Sequence, residues 1–581
     1  MRGLPGTGLA VVAALLAGAC VSPDAPEPRR ERPNILVIVA DDLGYSDLGV
    51  YGSEIDTPNL NELAKSGLIA TDFYVAPDGG PTRAMLLTGV DHHVSGMANV
   101  RRWTAPKTVG EPGYDERLSD GVVTVASLLR AAGYHTYMAG RWELGDDPGT
   151  RPSDRGFERS FVLHDGAASY WSDMQSAIPG RKRALYTQDG VEVDALPEDY
   201  YSTRHFTDFV LESIEANRAD GRPFFAYLSY QAPHSPLAVP EDWRERYAGR
   251  YDDGYDAIRD ARLLRMKSRG LVKEYVNPYP GLPTIPAWND LSEDMQKFQT
   301  RKMELYAAMV SNLDFHVGRL LDQLREAGEL HETLVVFLSD NGAEAADRGA
   351  FGMDARNRAF YVEQFPVVDP AQWGGPGTFL EYGAAWAQVS MVPFRLFKGS
   401  LAEGGIRSPL IVSGPGVETT RGLFGLRKRR RTRVVLSVTD LTPTFLELAG
   451  VDHPSSWQGR PVAPLRGRSL VPLLAGEFRA RKGPHEWLGF ELGGEKALRS
   501  GDWKLVLLPV PFGSGDWRLY RIDRDPAELY DRVEEHADRK EELVGLWEQY
   551  ARENGVLLEK PEPAPEGGAD DAVQKSSPSD R

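Results

Sequence analysis

The sequence predicts an α/β protein: a large mixed, mostly parallel sheet sandwiched by helices, followed by a small C-terminal α+β domain with antiparallel sheet. Three observations carry this. Asn34–Ala40, Pro223–Tyr230 and Leu334–Ser339 are almost unbroken apolar runs, the pattern of strands buried on both faces rather than one. Segments with apolar residues at helical spacing lie between them, the longest over Met303–Ala327 through Tyr306, Met309, Val310, Leu313, Val317, Leu320 and Leu321. From about Gly459 the pattern shortens, and Ala497–Leu507 reads as two antiparallel strands joined at Ser500-Gly501.

Taken in order, Met1–Cys20 has the layout of an export signal. Arg2 precedes the apolar stretch Leu9–Leu16, which is too short to span a bilayer. Leu16-Ala17-Gly18-Ala19-Cys20 is similar to a lipoprotein cleavage box, with the single Cys of the chain, Cys20, as the residue to be lipidated. The expectation is an exported protein, periplasmic or at the cell surface, anchored at Cys20. Residues 21–32 are rich in Pro and charge and read as a tether. A formal net charge of −17 argues against nucleic acid as a partner, and one Cys excludes an intrachain disulfide.

The first domain is assigned to 33–458. Its opening strand ends in Asp41-Asp42, two carboxylates at the carboxyl end of a central strand, where α/β sheets place ligands. Adjacent carboxylates repel unless a proton or cation lies between them, and their oxygens suit a hard divalent ion. Thr57-Pro58 reads as a helix start, Leu60, Leu63 and Ala64 as its apolar stripe and Gly67 as its stop. Leu68–Tyr74 is a strand. Asp78-Gly79-Gly80-Pro81-Thr82-Arg83 then enters the helix-forming run Ala84–Thr88, and a helix N-terminus beside a guanidinium suits an anion. Thr124–Ala132 reads as a helix and Tyr134–Ala139 as a strand, followed by Gly140-Arg141-Trp142-Glu143-Leu144-Gly145. His234 follows the strand Pro223–Tyr230. Tyr251–Arg301 reads as an irregular insertion over the site. Leu334–Ser339 ends in Asp340-Asn341, repeating the layout of Asp41-Asp42, so two strand ends offer four oxygen-bearing side chains. The basic run Arg427–Arg433 reads as a solvated hairpin loop, or as a patch for a polyanion, ahead of a strand over Val434–Val438. The second domain is assigned to 459–556, with strand Trp517–Tyr520 and a final helix over Lys540–Asn554. Residues 557–581 are rich in Pro, Glu, Ser and Asp and read as disordered.

These motifs, in this order over Arg32–Leu558, resemble those of bacterial arylsulfatases of the alkaline phosphatase superfamily. The stretch from Gly79 to Gly89 is similar to the signature in which a Cys or Ser, converted to formylglycine, supplies the nucleophile; Gly79 stands at that position. The resemblance implies one calcium ion held by Asp41, Asp42, Asp340 and Asn341. It implies anion contacts from Arg83, His234 and Lys398, and a sulfated or phosphorylated small molecule or glycan as partner. Family Lys and His positions are occupied by Arg141 and Glu143. Arg keeps the charge with different geometry, whereas Glu places an acceptor where a donor is expected. Three readings follow: a catalytically impaired homologue that keeps a metal and anion pocket; an active sulfate or phosphate ester hydrolase using metal-bound water, Asp78 or Thr82; and a structural surface lipoprotein.

Overall fold

The computed structural model describes residues 32–99, 108–348, 357–418, 420–421, 427–428, 430–477 and 483–557. The export signal, Cys20, the tether and residues 558–581 lie outside them. No helix among the described residues is long and apolar enough to cross a membrane.

An 11-stranded mixed sheet organises the chain. Its strands are β1 (Asn34–Ala40), β2 (Leu68–Tyr74), β3 (His135–Arg141), β4 (Arg159–Leu163), β5 (Tyr186–Gln188), β6 (Val191–Glu192), β7 (Phe224–Ser229), β8 (Thr333–Ser339) and β9 (Arg407–Ser413). Short segments at Arg430–Thr432 and Leu436–Ser437 complete it by pairing with β2. At its centre β8, β1, β7, β3 and β4 run parallel, while β9 is antiparallel to both β8 and β2.

The unbroken apolar sequence of β1 follows from its position. Leu36, Ile38 and Ala40 pack on one face of the sheet, and Ile35, Val37 and Val39 on the other. The first face is covered by α1 (Pro58–Lys65), α4 (Ser202–Asn217) and α6 (Glu293–Glu326), the second by α2 (Gly79–Thr88) and α3 (Val125–Ala131). Each fully buried aliphatic side chain contributes about 1.5–3 kcal/mol, so truncation of Ile38 to Ala would cost about 2–5 kcal/mol.

Local starts and stops follow side-chain chemistry. Thr124 accepts the Ser127 N–H to cap α3, and Ser292 accepts the Met295 N–H to start α6 ten residues before the apolar stripe begins. Thr57 is the N-cap residue of α1 with Pro58 after it, but its hydroxyl makes no cap bond and accepts the Gly49 N–H at 2.9 Å instead; the C-cap is Ser66, just before Gly67.

The expected irregular insertion over Tyr251–Arg301 is largely helical. Helix α5 (Gly254–Ser268) buries Tyr255, Ile258, Leu263 and Met266. Its one fully buried charge, Arg262, is paired with Asp47 and, at 2.8 Å, with Glu54. High charge content suggested a loop here, but Arg262 and, with it, Arg265 reach back to Glu54 in this network.

Where it is described, the basic run begins in a hairpin, Thr420–Arg421 pairing antiparallel with Arg427–Lys428, and Arg431 and Arg433 are exposed as expected, yet its arginines are also engaged. Arg430 donates to the carbonyls of Glu418, Leu473 and Leu474, Arg431 to that of Arg269, and Arg433 to that of Gly270. These guanidiniums fasten chain segments by their backbone acceptors.

After residue 459, four antiparallel strands form a separate sheet: Trp487–Leu492, Glu495–Ser500, Trp503–Leu507 and Trp517–Arg521. Helix Ala537–Asn554 packs on it through Leu543, Trp547 and Tyr550. Trp487–Leu492 is the strand that the sequence pattern did not reveal.

Candidate active site at the carboxyl ends of the central strands

Parallel pairing brings the polar ends of four strands together. Ala40 is in register with Ser339, so Asp41 and Asp340 follow side by side, and the Asp340 N–H donates to the Ala40 carbonyl at 3.2 Å. Val39 and Gly140 are both in register with Ser229 of β7, which sets Arg141 beside Asp41. Gly140 has φ +114°, and a Cβ there would enter the Ser229 carbonyl; close approach of β3 to β7 therefore requires glycine. Helix α2 comes to this edge with its N-terminus, Gly79 first and Arg83 one turn later, all of its residues buried. Its C-terminus is closed by Gly89 at φ +70°.

The structure gathers all ten residues singled out in the sequence. Arg83 Nη2 lies 2.9 Å from Asp41 Oδ2 and 2.7 Å from Asp340 Oδ2, and its Nε donates to Ser229 Oγ at 3.2 Å. Arg83 also pairs with Glu143, and Arg141 pairs with both Asp41 and Glu143. Lys398 Nζ is 2.7 Å from Asp42 Oδ1 and 3.5 Å from Glu344 Oε2. Asn341 Nδ2 donates to Asp42 Oδ1 at 2.6 Å, and the Asp42 N–H donates to Asp340 Oδ1 at 3.1 Å. Two non-glycine members, Asp42 and Glu143, have left-handed backbone, φ +64° and +58°. Such strain persists where surrounding contacts fix it and clusters at functional sites.

Gly79 sits at the meeting point of these groups. An added Cβ would lie 2.7 Å from Asp340 Oδ2 and 2.9 Å from Glu143 Oε2, and would strike the Arg83 guanidinium. Of the alternative nucleophiles, Thr82 is committed elsewhere: its hydroxyl accepts the Ala76 N–H at 2.9 Å and donates to the Ala76 carbonyl at 3.2 Å. Asp78 precedes α2 as its N-cap residue and makes no side-chain cap bond.

The electrostatics point to a shortage of positive charge. Five carboxylates (Asp41, Asp42, Glu143, Asp340, Glu344) face three cations (Arg83, Arg141, Lys398). Burial pushes the Asp41 and Asp340 carboxyls up, aided by Asp340 and Asp42 for the first and by Asp42 for the second, and opposed by Arg141 and Arg83 on Asp41 and by Arg83 and Lys398 on Asp340. Burial also acts to raise Glu143, but Arg141 and Arg83 outweigh it and bring that carboxyl to about 2. Burial, then Arg141 and Lys398, push His234 well down. His234 Nδ1 is 2.6 Å from the Ser235 carbonyl, an acceptor only, so Nδ1 carries the ring proton and donates. The lone pair of Nε2 then faces Asp42 Oδ2 at 3.5 Å.

These residues fit a hard cation. Asp42 Oδ2, Asp340 Oδ2 and Asn341 Oδ1 are buried and take no hydrogen bond; Arg83 approaches Asp340 Oδ2 at the wrong angle for one. Buried acceptors left in this way are costly unless another partner completes them. Asp41, Asp42 and His234 each offer a ligand atom, all within 4.8 Å of one another, and oxygen-rich sets of this kind suit divalent ions. Sequence reasoning missed three members of the surroundings: Glu344, Ser229 and Tyr170, whose hydroxyl donates to the carbonyls of Gln231 and His234 at 2.9 and 2.6 Å. Glu344 alone had a local signal, its place four residues after Asp340 in the stretch that follows β8.

Comparison with known proteins gives the same direction. A sequence-family profile described as Sulfatase matches residues 33–451. An uncharacterized sulfatase of Schizosaccharomyces pombe is 37% identical over 550 residues, covering 91% of this chain and 95% of that protein. The arylsulfatase of Klebsiella aerogenes is 36% identical over 488 residues, covering 81% of this chain and 97% of its own. Among solved structures, Ps i-CgsB in complex with k-i-k-neocarrahexaose is similar with a TM-score of 0.62 at 25% identity, covering 91% of this chain and 95% of that one.

Proposed function

Because this chain belongs to the sulfatase family, we propose that it binds a sulfated small molecule or glycan at the β1/β8 strand ends without formylglycine turnover. The observation that carries this is Gly79. It opens α2 where Arg83, Asp340 and Glu143 converge, yet it offers no side-chain atom that could be oxidised or attack sulfur. The convergence of Asp41, Asp42, Asp340 and Asn341 with Arg83, Arg141, Lys398 and His234 supports reading the first four as the cation side and the others as the anion cradle. The divalent ion is calcium in this reading; when bound it supplies positive charge for the sulfuryl oxygens.

This chain's own residues orient the ligand. Arg83 and Arg141 present forked donors suited to two oxygens of one oxyanion, and Lys398 adds a point charge beside Asp42. The glycan class is supported by the neocarrahexaose bound to Ps i-CgsB. The site is exported and held at the cell envelope through lipidation of Cys20; labelling with radioactive palmitate, lost in Cys20→Ser, tests this.

The test of the proposal is turnover of aryl sulfate and aryl phosphate esters by the purified protein, with calcium and with chelator. No turnover, together with calcium-dependent binding of a sulfated glycan, is the expected result. Chelator-sensitive hydrolysis would overturn it and assign the site to an ester hydrolase with another nucleophile.

A further inference from the structure

Glu143 is the member of the cluster whose chemistry runs against the rest. Its Oε2 is bound to Arg83 Nη1 and its Oε1 to Arg141 Nη2, so one carboxylate spans both guanidiniums as two oxygens of a bound oxyanion would. The arginine side chains are 1% and 2% exposed, whereas that of Glu143 is 17% exposed. It is therefore the outer member of the clasp. The arginines are held from the inner side by Asp41 and Asp340, which leaves their outer donors to Glu143. The backbone at residue 143 is left-handed, φ +58°, a conformation that L-residues adopt only where surrounding contacts hold it. Gly166, whose added Cβ would lie 3.0 Å from Glu143 Oε1, leaves room along the outer side of the carboxylate.

We infer that Glu143 is a tethered competitor for the oxyanion subsite: its carboxylate occupies the Arg83–Arg141 cradle, and a ligand's sulfate or phosphate group must displace it to bind. This deepens the proposed function and rests on it. A side chain tethered beside its partners acts at an effective concentration of millimolar or more. A free inorganic anion is thus at a disadvantage, and only a ligand with further contacts, such as the rest of a glycan, gains enough to open the clasp. Selection then falls on the whole sulfated molecule rather than on sulfate itself. Gly79 belongs to the same device. The Arg83 guanidinium, drawn to Glu143 and Asp340, lies where a Cβ of residue 79 would stand, so a side chain at residue 79 and a closed clasp crowd each other.

Inorganic sulfate is the probe. Its binding to the full chain is measured by titration calorimetry, with chloride at matched ionic strength as control, for native protein, Glu143→Gln and Glu143→His. Gln keeps the size of the side chain and removes its charge; His places a polar ring at the position and guards against a packing defect peculiar to Gln. Melting curves establish that each variant is folded. The expected result is at least ten-fold tighter sulfate binding in both variants than in native protein, lost again when Arg83→Met is added. Equal binding by native protein and variants would overturn the competitor role and leave the oxyanion pocket standing. Absence of sulfate binding in every form would overturn the pocket itself, and the competitor with it.

Discussion

Asp41 and Asp340 are neighbours because β1 and β8 pair in register up to Ala40 and Ser339, and the Asp340 N–H closes the ladder on the Ala40 carbonyl. Two buried carboxylates are thereby fixed side by side before any ligand arrives; burial raises both, with repulsion from Asp340 and Asp42 acting on Asp41 and from Asp42 acting on Asp340. A divalent ion that binds only the folded chain stabilises it by RT ln(1 + [L]/Kd), about 2.7 kcal/mol at one hundred times Kd. Calcium is therefore expected to raise the melting temperature by several degrees, and Asp340→Asn to remove most of that increase. An unchanged melting curve in calcium and chelator would refute a cation site here.

Gly79 and Glu143 are expected to be coupled in mutational tests. Gly79→Cys places a Cβ against Arg83, Asp340 and Glu143, and overpacking of this kind costs about 1–3 kcal/mol. Coexpressed with a formylglycine-generating enzyme, Gly79→Cys alone is expected to give no aryl sulfate turnover, because the clasp still occupies the cradle. The pair Gly79→Cys with Glu143→His is expected to give measurable turnover and to melt above the single variant. Additive effects of the two changes, in activity and in melting temperature, would show that they act independently.

Strand positions and ligand-bearing strand ends were legible because burial on both faces leaves little choice of residue: β1 and β8 are apolar throughout, and Asp41 and Asp340 mark where each leaves the core. Arg83 was placed at the site by the resemblance of the Gly79–Gly89 stretch to the family signature, and its position one turn from the helix start is local. What sequence did not reveal was set by distant partners. Helix α5 looked like loop because its charge is paired with Glu54 and Asp47, some 200 residues earlier. The carbonyl partners of Arg430, Arg431 and Arg433 were not legible, because backbone acceptors leave no trace in sequence. The clasp made by Glu143 depends on Arg83, 60 residues away, and only the folded chain brings the two together.

His93 lies between two carboxylates, with Nδ1 2.8 Å from Asp91 Oδ1 and Nε2 2.8 Å from Glu491 Oε2. Tyr550 of the C-terminal helix also donates to Asp91, at 2.9 Å, and His92 and Tyr114 flank the ring. Burial opposes a charge on His93, but Asp91 and Glu491 outweigh it and raise the imidazolium to about 9. An unfolded His titrates near about 6.5. The stabilisation is thus complete below about pH 6.5 and is lost as pH rises through about 9. Urea midpoints are expected to fall between pH 7 and 9 in native protein and to flatten over that range in His93→Gln. Parallel pH profiles for the two would exclude a charged His93.

Lys504 is expected to be the most costly single charge to remove from the C-terminal sheet. It is fully buried, with Nζ 2.8 Å from Glu528 Oε1 and 3.0 Å from Glu403 Oε1. Glu403 is shared with Arg407 at the start of β9, at 3.0 Å, whereas Glu528 has Lys504 as its one ion pair shown by the structure. Breaking a buried pair from one side leaves an uncompensated charge and costs about 3–5 kcal/mol, while replacing the whole set with apolar residues can be neutral or stabilising. Lys504→Met alone should therefore lower the urea midpoint strongly. Lys504→Met with Glu528→Leu should recover most of the loss, because Arg407 still compensates Glu403. The consequence reaches the site through a neighbouring contact. Glu495 of the same sheet accepts the Leu401 N–H at 2.6 Å, three residues from Lys398. Hydrogen exchange at residues 398–402 is expected to quicken in Lys504→Met and to return to native rates in the double variant. Exchange that stays native in both would show that the C-terminal sheet does not help to hold Lys398 in place.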